Sequence, residues 1–117
     1  MQVKDYETIL ILTPTLSEEQ TQSSIDRFRD FLQKQKAEII HEDKIGIKKF
    51  AYPIQKKSMG IYHLFEFKAA PETIIALETE YRRDEAVIRF LTVALDKHGI
   101  AYNEKKRNGV FKSLPRN

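Results

Sequence analysis

The 117-residue chain has no cysteine, which rules out disulfides and any cysteine-ligated metal. That suits a reducing compartment. Its four glycines (Gly46, Gly60, Gly99 and Gly109) stand apart, so no glycine-rich phosphate-cradling loop occurs. Long apolar runs are missing as well. The stretch from Ile9 to Leu12 falls far short of the roughly 20 residues a membrane-spanning helix needs. The opening residues, Met1 to Asp5, lack the basic-then-apolar pattern of a secretion signal. None of His41, His63 and His98 sits in a recognisable catalytic motif. His41 and Asp43 share one strand face, but such a pair on an edge strand is more simply solvated surface than two metal ligands. His63, in a central strand, reads as a packed or hydrogen-bonded histidine. The expectation is a cytoplasmic, non-enzymatic protein with no cofactor, metal or membrane partner.

What the chain does have is charge sorted by position. Residues 1–43 carry 5 basic and 9 acidic side chains, a net −4. Residues 44–57 hold Lys44, Lys48, Lys49, Lys56 and Lys57 with no acid, and residues 58–96 return to a net −3. The last stretch, 97–117, is +5. Two separated basic blocks suit a polyanion, because clustered cations release counterions together. An apolar content of 41% is enough for one compact core.

The order of elements follows from periodicity. Tyr6 to Leu12 is a β-rich run closed by Thr13-Pro14. Ser17 opens a helix, with Gln20 three residues on as its capping-box partner, and Ile25, Phe28 and Leu32 make an apolar stripe. Ala37 to Ile54 reads as one long extended segment. Its apolar residues change phase from Ile45 and Ile47 to Phe50, Tyr52 and Ile54, which predicts a β-bulge near Lys48-Lys49. Pro53 cannot donate to a ladder and suits an edge strand. After a short connection, Ile61 to Phe67 completes a hairpin. Pro71 opens a second helix with Ile74, Leu77 and Tyr81 on one stripe, and Val87 to Leu95 is a last strand.

The order β-α-β-β-α-β is that of the ferredoxin-like fold, an α+β antiparallel sheet with strand order 4-1-3-2 and two helices on one face. Residues 1–96 form this domain, and residues 97–117 read as a flexible basic tail. The first, third and fourth strands also carry apolar residues on their second face, which two helices cannot reach. Ile9 and Ile11 lie there, as do Tyr62 and Leu64. In the last strand Val87, Leu91 and Val93 oppose Ile88 and Phe90. Open apolar surface of this kind marks a partner unless the tail folds back over it.

The basic hairpin is the strongest local signal, with Lys48, Lys49, Lys56 and Lys57 bracketing Phe50, Tyr52 and Ile54. Lysines supply sequence-independent affinity for phosphates, and an exposed Tyr stacks on an unpaired base. Edge strands also use Lys to block aggregation, so the hairpin alone leaves both readings open.

The run Gly46-Ile47-Lys48-Lys49-Phe50-Ala51-Tyr52-Pro53-Ile54-Gln55-Lys56 closely resembles the signature of bacterial small-subunit ribosomal protein six. Tyr6-Glu7, Lys56 before Gly60 and Tyr62, Tyr81-Arg82, and Ala86-Val87-Ile88-Arg89 agree in the same register, over about residues 4–95. Phe50 stands where Leu is more usual. The resemblance implies a ferredoxin-like scaffold protein of the ribosome, a monomer when free. It implies pairing with small-subunit protein eighteen and binding to the central domain of the small-subunit ribosomal RNA. Carried over by position, the RNA contacts are Tyr6, Lys48, Lys49, Tyr52, Lys56 and Arg89, with Lys57 beside them and Lys105, Lys106 and Arg107 in the tail. Arg89 lies mid-strand among apolar residues, where a charge is costly unless it faces a polyanion or is paired, for instance with Glu7.

Two other readings of this topology are a single-stranded RNA reader and a dimeric enzyme or small-molecule module. The first needs stacking aromatics in the ribonucleoprotein pattern, which Gly60-Ile61-Tyr62-His63-Leu64 does not fit. The second needs a pocket with convergent polar groups.

Overall fold

The computed structural model describes residues 3–54 and 57–107. Its elements run β1 (Lys4–Leu12), α1 (Glu18–Lys34), β2 (Glu38–Ile54), β3 (Lys57–Ala69), α2 (Pro71–Arg83), β4 (Val87–Leu95) and α3 (Lys97–Arg107). The strands pair antiparallel in the order β2-β3-β1-β4, which is the expected ferredoxin-like sheet read from its other edge. β2 and β4 are the edges, and Pro53 lies on the first of them.

Helix α1 starts where its capping box places it. The Ser17 hydroxyl accepts from the Gln20 amide at 3.1 Å, and the Gln20 side chain accepts from the Ser17 amide at 2.9 Å. The helix closes past Gln35 with Lys36 at φ 63, the left-handed turn that ends many helices. Ile25, Phe28 and Leu32 are buried, as their spacing predicts.

Which face of the sheet the helices cover is fixed by β1. The Thr8 hydroxyl lies 3.3 Å from the Tyr81 hydroxyl on α2, so Tyr6, Thr8, Leu10 and Leu12 point toward the helices. Together with Ile61, Phe65 and Phe67 of β3 they meet Ile25, Phe28, Leu32, Leu77 and Tyr81. Phe28 packs edge-on against Tyr81 with ring centres 4.8 Å apart. Each fully buried large side chain here contributes about 1.5–3 kcal/mol of transfer free energy. Burial also pushes the Tyr81 hydroxyl up from its ordinary pKa, so the Thr8–Tyr81 bond is one between neutral groups.

The β-bulge expected near Lys48-Lys49 is present, as one of three breaks in β2, while two other features depart from the sequence reading. Register shifts occur between Ile39 and His41, Lys44 and Gly46, and Lys49 and Ile54, while Lys48 pairs with Gly60 and Lys49 with Met59. Gly46 sits at φ 93, a conformation that glycine alone adopts cheaply, so it marks one break. In β4, a shift at Ile11/Leu12 turns Val87 to the same side as Phe90, where both pack against the core. Leu91 and Val93 are left pointing away, 62% and 42% exposed. The second departure lies in the residues expected to be a flexible tail, where Lys97–Arg107 is helical. Asp96 caps it, its carboxylate accepting from the Gly99 amide at 2.8 Å, and this bond holds the Asp96 pKa below its usual value. A cap of this kind starts a helix without any apolar stripe.

Candidate nucleic-acid interface

Beyond Ile61, the last β3 residue paired with β1, the β2–β3 hairpin runs on as a two-stranded ribbon. Lys48, Lys49 and Tyr52 lie on it and are exposed, Tyr52 at 83%, with Lys57 half-buried. The ribbon is anchored at its base. Phe50 lies 6.2 Å from Tyr62, ring centre to ring centre. A side-chain carbon on Gly60 would come within 2.7 Å of the Phe50 ring and 2.5 Å of Ile11. Gly60 is thus required by close approach, and Phe50 is spent on packing. The aromatic residue left for a base is Tyr52.

Strand register carries the basic surface across the sheet. Tyr62 pairs with Gly46 on one side and Ile11 on the other, and Ile11 pairs with Arg89. Directly paired residues share a face, so Arg89 lies at the far end of a row whose middle is apolar and aromatic. Arg89 is exposed and has no ion pair among the described residues. Glu7, the internal partner considered for it, pairs instead with Val93, four positions along β4. Arg89 at one end of this row, and Lys48 in the neighbouring pair with Gly60 at the other edge, make a surface that can hold phosphates while bases or apolar groups rest between.

The other expected site residues are distributed less evenly. Tyr6 is only 8% exposed and its ring lies 6.0 Å from that of Phe67, so its role in the fold is packing and it offers little ring surface to a base. Lys56 lies outside the described residues. Lys105, Lys106 and Arg107 fall in the last turn of α3.

The sequence reading missed a polar network behind the hairpin. His63 is 2% exposed, and its Nε2 lies 2.7 Å from Glu42 Oε2. Arg29 of α1 donates twice to the same carboxylate, Nε at 2.8 Å and Nη2 at 2.5 Å, and its Nη1 donates to Asp26 at 2.5 Å. The Arg29 bonds hold Glu42 below the usual carboxylate range, while burial pushes His63 down. The network ties β2 to α1 and β3 and so sets the base from which the ribbon projects. Its signal in sequence was faint, since Arg29 and Glu42 are 13 positions apart with no periodic relation. No group of three or more metal-ligating side chains exists among the described residues.

Comparison with known proteins gives one consistent answer. The family model described as "Ribosomal protein S6" matches residues 5–94. A relative in Flavobacterium johnsoniae, the "Small ribosomal subunit protein bS6", is 54% identical over 102 residues, which cover 87% of this chain and 90% of that protein. Its counterpart in Phocaeicola vulgatus is 52% identical over 106 residues, covering 91% and 93%. The crystal structure of 30S ribosomal protein S6 from Thermotoga maritima superposes with a TM-score of 0.78 at 25% identity, covering 93% of this chain and 99% of that one.

Proposed function

Because the chain belongs to the ribosomal protein S6 family, structural proteins of the small ribosomal subunit rather than enzymes, we propose that it binds the central domain of the small-subunit ribosomal RNA together with small-subunit protein eighteen. In this reading residues 1–96 form the RNA- and partner-binding domain, monomeric when free and at work in the ribosomes of the cytoplasm. The observation that carries it is the projecting ribbon with Lys48, Lys49 and Tyr52 exposed upon it. Lysines on a ribbon that stands clear of the acidic body reach phosphates without bringing carboxylates along. Arg89 extends the same surface and Lys57 lies on the ribbon itself, while Lys56, Lys105, Lys106 and Arg107 are RNA contacts on the resemblance of the sequence alone. Tyr6, the remaining residue carried over by position, packs against Phe67 toward the other end of β1.

The test is binding to a central-domain RNA fragment across a salt series, with and without protein eighteen. Tight binding that weakens steeply with salt and appears mainly with the partner present supports the proposal. Absence of binding under both conditions overturns it.

A further inference from the structure

The face of the sheet away from α1 and α2 is partly covered by the chain itself. Asn103 of α3 donates from its side-chain amide to Glu7 at 3.3 Å and to Glu66 at 3.2 Å. Glu7 lies between Tyr6 and Thr8, which point to the helices, so Glu7 points the other way, and Glu66 is its direct partner on β3. Helix α3 therefore turns back over the second face.

That face has a definite chemistry. Asp43, Leu64, Ile9 and Leu91 form one row across it, and His41, Glu66, Glu7 and Val93 form the next. Glu38, Lys68, Asp5 and Leu95 form the third. Five carboxyl side chains thus surround an apolar strip that stays open at Leu91 and Val93. The occupant such a surface selects is a basic segment bearing hydrogen-bond donors beside an apolar ridge. Helix α3 is a sparse version of that occupant: its sequence holds Lys97, Lys105, Lys106 and Arg107, and Asn103 supplies the donor. The two Asn103 bonds that anchor it are long.

We propose that α3 is a displaceable cover, occupying in the free chain the surface on which a basic protein partner docks. The proposal rests on the partner reading above, and it adds a competition built into the chain. If α3 is docked most of the time, partner affinity is reduced by the fraction of chains in which the face is open. The basic helix that leaves the face is then available to the RNA.

The experiment uses the full chain and two variants, Asn103→Ala and Asn103→Asp, the second setting a third carboxyl against Glu7 and Glu66. Amide hydrogen exchange reports whether α3 has undocked, and titration with purified protein eighteen reports affinity. The expected result is exchange in α3 faster by about tenfold or more, with partner affinity raised about three- to tenfold. Equal or weaker affinity in a variant whose α3 exchanges faster overturns the inference and leaves the partner reading standing. Unchanged exchange in both variants also overturns it, since Asn103 then holds nothing. Failure of all three chains to bind the partner overturns both.

Discussion

His63 and Glu42 face each other between the two strands of the hairpin, Nε2 to Oε2 at 2.7 Å, and the carboxylate is shared with Arg29. With Nε2–H donating to Glu42, the other ring nitrogen, Nδ1, is an acceptor, buried and without a partner among the described residues. The histidine is thus held neutral by burial beside a carboxylate that Arg29 holds charged. Phe65 closes the site with its ring 4.8 Å away, and Lys44 pairs with His63 across the ladder.

This arrangement fixes the sign of the acid response. His63 has its pKa lowered in the folded state, so below about pH 6.5 the unfolded chain takes up a proton that the folded chain resists. Stability therefore falls as pH drops from about 6.5 toward the folded-state value, by at most about 1.4 kcal/mol per pH unit for one proton. Glu42 is also lowered, so its contribution is complete above its ordinary value of 4.5 and is lost as pH falls through the folded value. Urea unfolding from pH 8 to pH 3 should show stability level at the top, then two declines of the same sign. In His63→Leu the upper decline should vanish and the lower remain. An upper decline of the same size in that variant would remove His63 from the account.

Gly46 and Gly60 should fail for different reasons. Nothing lies within 4 Å of a side-chain carbon built on Gly46, so Gly46→Ala costs only the left-handed backbone, about 1–2 kcal/mol. Gly60→Ala leaves the backbone unstrained but drives a methyl into Ile11 and the Phe50 ring, about 1–3 kcal/mol by overpacking. Pairing each with Phe50→Ala separates them. The truncation should relieve part of the cost at Gly60 and none at Gly46, as read from urea midpoints in a double-mutant cycle.

The helix α1 capping box gives a smaller and cleaner effect. Ser17→Ala removes the acceptor for the Gln20 amide and should cost about 1 kcal/mol. Ser17→Asp keeps an acceptor and should stay within a few tenths of the parent. Thermal unfolding of the three chains checks both.

How far these features could be read in the sequence depends on how locally they are encoded. The capping box, the stripe Ile25–Phe28–Leu32 and the edge position of β2 were legible because each rests on residues within a few positions or on one proline. The facing of β4 was not. A single register shift against β1 reversed Val87 relative to Leu91, and so close to the start of β4 too few residues precede it for the alternation to record the change of phase. Helix α3 was missed because its start depends on Asp96 and its docking on Asn103, neither of which alters apolar periodicity. Of the expected RNA contacts, Lys48, Lys49, Tyr52 and Arg89 are exposed, while Tyr6 is not, since a tyrosine opening a strand reads the same whether it faces helix or solvent.

The exposed four should separate in their salt dependence. A lysine or arginine that neutralises one phosphate contributes about 0.7 to 0.9 to the slope of log affinity against log salt, so Lys48→Ala and Arg89→Ala should each flatten the slope by roughly that amount. Tyr52 carries no charge. Its contribution by stacking is about 1–3 kcal/mol and does not depend on counterion release, so Tyr52→Ala should lower affinity about 5- to 150-fold with the slope unchanged. All three side chains are exposed, so unfolding midpoints should stay within about 0.5 kcal/mol of the parent. The comparison is decisive at Arg89, where loss of affinity with an unchanged slope would assign it to the protein partner instead of the RNA. An unchanged affinity would mean that the exposed cation on β4 has no part in the interface.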